Sequence, residues 1–329
     1  MNDVILDELY KNLGRYITSD VICKKLGISR IAVWNRIKGL EKLGYKIEAK
    51  RSVGYRLVEE GKDILIPYEI RRRLNTKLFG REIEYFRLTS STMDEAQYLI
   101  EKGCPNGMLI VSEEQTSGRG RQKRKWLSPH GVNIYASVVY MPEHMPMVKS
   151  IDLMFATSIA IVEALSDIGI DNAGIKWPND IIVNGKKIAG VLLETKSESG
   201  MLKTAIIGFG INVNMEKIPD DIKDVATSVY LEVGEKVDRT QLLVNVLYYL
   251  ENLIGLIEAN RENEVVEMWK RYDITLGKRV AVISGDTKVE GIAEKLDDKG
   301  FLVVKLDDGT HRRVVTAESV RILDEPEKR

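Results

Sequence analysis

A glycine-rich basic stretch, EEQTSGRGRQKRKW at residues 113–126, is the sequence feature that most constrains the fold of this chain. It contains five Lys or Arg residues, and no acid occurs between Gly118 and Lys125. Because such a segment buries almost no apolar surface, the sequence predicts a loop here. Glycine amides can approach a phosphate closely, so an anion-binding loop is one interpretation and a solvated basic loop is the other. Strand-like runs at residues 108–112 and 133–140 flank the stretch, which favours binding, because binding groups concentrate on loops held by rigid strands.

The overall composition indicates a protein of more than one domain with no dominant charge. The 329 residues include 49 Lys or Arg and 49 Asp or Glu, so net charge points to no particular partner. No run of about eighteen apolar residues occurs, and the acidic N-terminus does not resemble a signal peptide. We therefore expect a cytoplasmic protein without a membrane span. Three histidines and two separated cysteines, Cys23 and Cys104, form no ligand pattern, so no structural metal site is expected.

Residues 1–60 have the pattern of a small separate domain. Helical spacing of apolar residues comes first, Ser29 is placed to cap the longest helix, and residues 45–57 predict two short strands. Two helices joined by a tight turn and followed by a hairpin predict a winged helix-turn-helix. The predicted buried stripe of the longest helix consists of Ile31, Val33, Ile37, Leu40 and Leu43.

This N-terminal domain concentrates positive charge. Between Ile22 and Val58 there are ten Lys or Arg residues and two acids. Such a surplus predicts operator DNA as a partner, with the second helix in the major groove, while a protein-docking module of the same fold is the alternative. The candidate DNA-binding residues are Ser29, Arg30, Trp34, Asn35, Lys38 and Arg51.

Residues 64–273 alternate helix and strand signals, which predicts a mixed α/β domain. Residues 181–183 and 188–194 predict a hairpin that turns at Asn184–Gly185, and residues 187–194 are a candidate sheet edge at which two chains could pair. Ser91 and Thr92 stand where a strand gives way to a helix, and such hydroxyls either cap the helix or help to bind an anion. Lys176, in the motif KWPND, lies on an apolar strand and either extends to solvent or is held in a pocket for an anion. Neither GxGxxG nor GxxxxGK[ST] occurs.

Residues 274–329 predict several short strands with tight turns, as in a small β-barrel. The fold class is therefore α+β, with a winged helix-turn-helix, a mixed α/β domain and a barrel in chain order.

Four motifs in this order, QTSGRGRQKRKW, KWPND, KIAGVLLE and GFGINVN, resemble those of biotin protein ligases. The winged helix before them and the barrel after them are similar to the bifunctional subgroup, which also represses transcription. The resemblance covers essentially the whole chain. It implies a class II synthetase-like central sheet and an SH3-like C-terminal barrel. It also implies an ATP-dependent reaction that forms biotinyl-5′-AMP and then biotinylates a lysine of a biotin carboxyl carrier domain.

The resemblance also implies site residues and partners. It assigns adenine contacts to Trp126 and Asn212, and a homodimer on DNA when the adenylate is bound. Biotin, ATP and Mg²⁺ are the expected small-molecule partners, with the Mg²⁺ held mainly by phosphates. The implied biotin and adenylate contacts are Ser91, Thr92, Met93, Gln115, Arg119, Gly120, Arg121 and Lys176.

The chemistry of these residues predicts the same reaction. Joining a carboxylate to a phosphate brings two anions together, so catalysis requires positioned cations, and Lys176 and Arg121 are the predicted catalytic pair. A basic loop that orders over the product would exclude water from a hydrolysable anhydride.

Two departures from the family pattern leave alternatives open. Met93 replaces an Asn that commonly follows the hydroxyl pair, and Lys123 replaces a Gly of the loop. One alternative is therefore an adenylate-sensing DNA-binding regulator with little or no ligase turnover. Another is a ligase whose N-terminal domain no longer binds an operator, and lipoate is the alternative substrate.

Overall fold

The computed structural model describes residues 2–284, 287–297, 299–314 and 319–323. The chain forms two compact units, which divide between Arg72 and Arg73. The predicted α+β class is confirmed. The end of the predicted barrel, residues 324–329, lies outside the described residues.

The first unit is a helix-turn-helix followed by a hairpin. Ser29 caps the longest helix, because its Oγ accepts a hydrogen bond of 3.2 Å from the Ala32 amide. Gly27 ends the preceding helix at a φ of 65°, which favours glycine. The elements are α1 (Asn2–Lys11), α2 (Ser19–Leu26), α3 (Arg30–Lys42), β1 (Ile47–Lys50), β2 (Gly54–Leu57) and α4 (Pro67–Arg73).

The buried side of α3 differs from the predicted stripe. Val33, Ile37 and Leu40 are buried, as predicted. Ile31, however, is 73% exposed, and Leu43 is 39% exposed. Ile31 lies about 200° around the helix from Val33, on the opposite face, and Leu43 follows the last helical residue. The prediction for these two positions was therefore wrong.

A buried carboxylate holds the start of α4 in the first unit. Glu69 Oε1 accepts hydrogen bonds from the hydroxyls of Tyr10 at 2.7 Å and Tyr45 at 2.6 Å. Burial, together with the bond to Glu69, raises the pKa of Tyr10 to about 12. The first unit consequently extends through Arg72.

The second unit is built on a mixed sheet. Among the described residues seven strands follow the order β3-β4-β5-β9-β8-β7-β6, and β3 and β4 are parallel while the other neighbours are antiparallel. The strands are β3 (Ile83–Phe86), β4 (Leu109–Ser112), β5 (Ile134–Tyr140), β6 (Gly174–Lys176), β7 (Asp180–Val183), β8 (Lys186–Glu198) and β9 (Met201–Ile211).

Helices cover this sheet and complete its core. The longest, α8, is the one helix in the described ranges that is long and apolar enough to cross a membrane, yet it packs on α6 and buries much of its surface. The core of a soluble protein produces the same composition. The helices are α5 (Thr92–Glu101), α6 (Ser150–Ser166), α7 (Val229–Val233), α8 (Arg239–Glu258) and α9 (Glu262–Tyr272).

The β7–β8 hairpin was predicted correctly, whereas the predicted open edge at residues 187–194 needs revision. Asn184 and Gly185 form the turn with φ of 50° and 77°. Ala189 and Gly190 pair with both β7 and β9. Val191 still donates to the Asn179 carbonyl at 3.0 Å on the β7 side, and from Leu192 onward the described pairing of β8 is with β9. An edge for association could therefore begin only there.

The C-terminal part of the second unit is an antiparallel sheet with the order β13-β12-β11-β10-β14. The buried indole of Trp177 contacts this part, because its ring N–H donates to the Gly300 carbonyl at 3.3 Å and its amide donates to Thr275 Oγ1 at 2.8 Å. The strands are β10 (Arg279–Ser284), β11 (Thr287–Leu296), β12 (Leu302–Lys305), β13 (His311–Val314) and β14 (Ser319–Ile322).

Candidate functional site

A cavity of about 700 Å³ lies on the sheet of the second unit. The start of α5, the basic loop, strands β5, β8 and β9, and residues 215–226 border it. This volume is within the range of small-molecule sites. The structure therefore brings the basic loop and the GFGIN strand, which are far apart in sequence, to one place. The predicted site residues that line it are Ser91, Thr92, Met93, Gln115, Arg119, Gly120, Arg121, Trp126 and Asn212.

Buried hydroxyls and an amide form a connected network beside the start of α5. The Thr92 amide donates to Gln115 Oε1 at 2.8 Å, and Thr92 Oγ1 accepts from Ser137 Oγ at 2.8 Å. Gln115 Nε2 donates to Ser128 Oγ at 3.1 Å. Ser91 caps the helix by accepting a 3.3 Å hydrogen bond from the Met93 amide. These groups are held rigidly and have further hydrogen-bonding capacity for a ligand.

Glycines make the floor of the cavity flat. A Cβ on Gly208 would lie 2.4 Å from Met93 Sδ, and one on Gly210 would lie 2.6 Å from the Trp126 indole. Because alternate residues of a strand share a face, Met93 and Trp126 cover positions about 7 Å apart on β9. The indole N–H of Trp126 is buried without a described hydrogen-bond partner. An apolar thioether and an aromatic ring thus lie side by side over the sheet.

The basic loop is folded rather than extended. Residues Arg121–Lys123 form a short 3-10 helix, and Arg119 and Lys125 form an isolated antiparallel bridge. Gln122 has a φ of 54°, a backbone conformation that favours glycine. It lies next to Lys123, the residue that replaces a Gly of the family motif. Gly118 is required, because a Cβ there would lie 2.5 Å from Ser128 Oγ.

The two arginines of the loop have different electrostatic settings. Arg119 donates to Asp94 at 2.6 Å and to Glu194 at 3.2 Å. Burial opposes the charged form of Arg119, but these two carboxylates raise its pKa. Burial lowers the pKa of Arg121, and the charge of Asp180 only partly offsets this effect. Arg121 also donates to Asn179 Oδ1 at 3.2 Å. Carboxylates thus dominate the setting of Arg119, whereas burial dominates that of Arg121.

Lys176 lies beside Asp180, a carboxylate that lines the cavity. In the described part of the chain Lys176 itself is not among the cavity-lining residues, whereas Lys187 is. Lys176 is the cross-strand partner of Asp180, and its Nζ lies 3.7 Å from that carboxylate. Lys187 Nζ lies 2.5 Å from the other oxygen of Asp180. The β6–β7 pairing therefore holds Lys176 beside Asp180, and Lys187 on β8 supplies the lysine of the cavity.

Lys187 also contacts the aromatic wall. Its Nζ lies 5.2 Å from the centroid of the Trp126 ring, within the range of a cation–π interaction. Lys187 is the lysine of the motif KIAGVLLE, for which the sequence predicts no particular role. The available signal was the position of Lys187, two residues after the Asn184–Gly185 turn and three residues before Gly190.

Asn212 occupies the end of the GFGIN strand. Its amide donates to Ile188 O at 2.9 Å, and its side-chain nitrogen donates to Thr227 O at 2.9 Å. Asn212 therefore connects β8 to the segment that follows residue 226. The side chain is 8% exposed and borders the cavity.

A buried ion pair joins the bases of the two loops at the cavity. Arg239 donates to Glu113 at 2.7 Å and to the Asn133 carbonyl at 3.1 Å. The Asn133 side chain accepts from the Val213 amide at 2.8 Å and donates to Met215 Sδ at 3.0 Å. Glu113 and Asn133 bracket the basic loop, while Met215 begins the segment 215–226. Both loops are thus anchored to one cluster.

In the first unit, the candidate DNA-binding side chains are on the surface. Arg30 pairs with Asp20 through two hydrogen bonds of 2.9 Å. Trp34 is 51% exposed, and Asn35 and Lys38 follow on the same face of α3. Lys38 pairs with Glu41 at 2.5 Å, and Arg51 is exposed in the hairpin turn. No cluster of three or more His, Cys, Asp or Glu suited to a metal ion occurs in the described residues of either unit.

Three family descriptions match successive parts of the chain. Residues 3–56 match the HTH domain, residues 85–212 match the Biotin/lipoate A/B protein ligase family, and residues 275–318 match the Biotin protein ligase C terminal domain.

Individual relatives extend this similarity over nearly the full length. The bifunctional ligase/repressor BirA of Bacillus subtilis (strain 168) is 35% identical over 92% of this chain and 94% of its own length. BirA of Escherichia coli (strain K12) is 28% identical over 89% of each chain. A biotin protein ligase from Aquifex aeolicus, solved in complex with biotin and ATP, is 29% identical with a TM-score of 0.63, covering 74% of this chain and 99% of its own. The chain therefore belongs to the biotin protein ligase family, in the group that joins the ligase to an N-terminal helix-turn-helix domain.

Proposed function

We propose that the cavity joins the carboxylate of biotin to the α-phosphate of ATP with loss of pyrophosphate, and then transfers the biotinyl group to a lysine of a biotin carboxyl carrier domain with release of AMP. One observation carries the proposal: a cavity of about 700 Å³ combines a buried hydroxyl and amide network with an aromatic wall and several cations. The network suits the polar head of biotin, and the ring suits adenine. The relative from Aquifex, which binds biotin and ATP, supports this choice of substrates.

Arg121 and Lys187 are the proposed catalytic cations. Both line the cavity near Asp180, and both can offset the charge that develops when a carboxylate attacks a phosphate. Lys176, expected from its motif to be catalytic, contacts Asp180 from outside the cavity lining and acts in this proposal by positioning that carboxylate. Gln115, Ser91 and Thr92 keep their proposed role in binding biotin.

Mg²⁺ is the proposed companion of ATP. It characteristically binds through one or two carboxylates together with substrate phosphates. Asp180 and Asp221 are the carboxylates that border the cavity in the described ranges, so the residues present fit such an ion. When bound, Mg²⁺ would neutralise phosphate charge. The protein's own contribution is to hold both substrates and to exclude water.

The catalytic assignment can be tested by alanine substitution at three positions. We expect Arg121→Ala and Lys187→Ala to slow adenylate formation by about 10²–10³-fold, the usual effect of removing one well-placed electrostatic donor. Lys176→Ala should have a smaller effect, because Lys187 still reaches the site. The measurement is the ATP–pyrophosphate exchange rate with biotin, followed by transfer of labelled biotin to a carrier domain.

Lys186→Ala is the matched control. Lys186 is adjacent in sequence, but its Nζ donates to the Lys223 carbonyl at 2.8 Å, and it does not line the cavity. The pyrophosphate exchange rate of the Lys186→Ala variant should stay near that of the wild type. A Lys187→Ala rate equal to that of this control would contradict the assignment. Absence of any carrier labelling by the wild type would leave an adenylate-sensing regulator as the function.

The first unit is the proposed operator-binding module of a biotin-responsive repressor. Its exposed α3 face and basic hairpin support a partner of negative charge. We also propose that the adenylate-bound protein forms a homodimer, with the part of β8 beyond Val191 as a candidate edge. Analytical ultracentrifugation with and without biotin and ATP tests this: no ligand-dependent change in mass would contradict the dimer.

A further inference from the structure

The exposed face of α3 carries an apolar pair that the fold of the first unit does not use. Ile31 is 73% exposed and Trp34 is 51% exposed. Residues three apart are neighbours on a helix surface, so the two side chains lie together. Neither side chain belongs to the core of the unit, which packs against the opposite face of α3.

The position of Ile31 is that of a base-reading residue. In a helix-turn-helix the N-terminal residues of the second helix contact base edges in the major groove. Ile31 is the second residue of α3. The first residue, Arg30, is engaged by both carboxylate oxygens of Asp20. Ile31 is consequently the side chain at the start of α3 that offers a large, free apolar surface.

The charge around this pair identifies its partner as nucleic acid. The stretch from Ile22 to Val58 contains ten Lys or Arg residues and two acids. The apolar pair therefore lies in a strongly basic part of the chain. Among the bases, thymine alone presents an apolar group, its C5-methyl, in the major groove. Ile31 has no hydrogen-bonding group with which to read another base.

We propose that Ile31, supported by Trp34, reads a thymine methyl group in each half-site of the operator. The proposal rests on the DNA-binding function given above and deepens it, because it names a base and the atom that is recognised. Asn35, one turn further along α3, has the amide needed to read adenine but cannot supply this methyl contact.

The test uses the full-length protein with biotin and ATP. Binding sites are first selected from a pool of random DNA duplexes at a fixed salt concentration. Each thymine of a selected duplex is then replaced in turn by deoxyuridine, which keeps base pairing and removes only the methyl group. At one thymine per half-site we expect about fourfold weaker binding, the effect of losing one buried methyl contact. The Ile31→Ala variant should bind the two duplexes equally at that position.

Val4→Ala is the matched control, because Val4 is a partly exposed aliphatic residue of α1 in the same unit. It should retain the wild-type preference for thymine. Circular dichroism verifies that each variant is folded, which we expect because Ile31 is on the surface.

Two results would overturn the proposal while DNA binding stands: no thymine sensitive to deoxyuridine, or an Ile31→Ala variant that weakens all duplexes equally and keeps the preference. If the wild type enriches no sequence and binds no duplex, the repressor function fails together with this inference. The two failures are thus distinguishable.

Discussion

At the scale of single residues, three glycines leave room on the sheet for the side chains that form the wall of the cavity. Gly190 and Gly210 are cross-strand partners on β8 and β9, and Gly208 lies two residues along from Gly210. None of the three has a positive φ, so any L-residue could adopt their backbone conformations. At Gly208 and Gly210 a side chain is excluded by Met93 and Trp126, which occupy the space above them, whereas a Cβ at Gly190 would meet the flexible end of Lys187 at 3.0 Å. Their function is to provide room.

Gly210→Ala should therefore affect the aromatic wall specifically. The new Cβ would lie 2.6 Å from the Trp126 indole, so the ring must move. We expect the adenylate to dissociate about tenfold faster, in line with the usual cost of overpacking. The measurement is release of labelled biotinyl-adenylate after gel filtration.

Gly255→Ala is the control for that variant. Gly255 lies in α8, and a Cβ there would meet nothing within 4 Å. It should leave release unchanged and add slightly to stability, because alanine favours a helix. Equal release rates for the two variants would refute the role of the Trp126 ring.

At the scale of elements, the start of α6 shows burial prevailing over the helix dipole. Asp152 lies in the first turn of α6, where the positive end of the helix favours an anion. It is nevertheless only 7% exposed, and burial, aided by the charge of Glu262, raises its pKa to about 7 while Lys149 lowers it less. The ionised form is therefore disfavoured in the folded chain.

This shift predicts how stability depends on pH. An aspartate has a pKa of about 4 when unfolded. Below that value Asp152 is protonated in both states, whereas between about pH 4 and pH 7 only the folded state keeps the proton, so the wild type loses stability as pH rises. Asp152→Asn should match the wild type near pH 4 and exceed it by about 2–4 kcal/mol at pH 8.

Urea unfolding at pH 4, 6 and 8 measures this effect. Asp171→Asn, at an exposed site five residues after the end of α6, is the control for removing one surface carboxylate. A constant difference between Asp152→Asn and the wild type at all three pH values would contradict the raised pKa.

At the scale of the whole molecule, the part of the chain that resembles a complete ligase is shorter than the whole chain. The Aquifex ligase is covered over 99% of its length by 74% of this chain. The division after Arg72 leaves the complete cavity lining in the second unit. Synthesis of the adenylate therefore requires no described residue of the first unit for its lining.

A chain that begins at Arg73 should keep adenylate synthesis within about tenfold of the full-length rate and lose specific DNA binding. The physical reason is that cavity and basic winged helix are in different units, and one factor of ten corresponds to about 1.4 kcal/mol of barrier. Pyrophosphate exchange and gel shift, performed on the same preparation, measure the two activities. Loss of exchange in a folded truncated chain would show that the first unit contributes to catalysis.

Local sequence patterns were sufficient for the elements of this protein. The turn at Asn184–Gly185, the cap at Ser29 and the alternation of strand and helix are determined by nearby residues, and the structure has them where they were predicted. Which face of a helix becomes buried depends less on nearby residues. Ile31 is apolar, yet it faces outward because the opposite face of α3 meets the core.

What the sequence by itself determined was the set of elements and the chemical groups available, because backbone preference, capping and motif identity are local properties. Only the tertiary structure decided which groups meet. Lys176 and Lys187 are eleven positions apart and chemically equivalent. The strand order β8-β7-β6 and the register of Lys176 with Asp180 bring Lys187 to the cavity lining and hold Lys176 beside the carboxylate. Strand pairing depends on contacts between distant residues, and no single stretch of sequence contains that information.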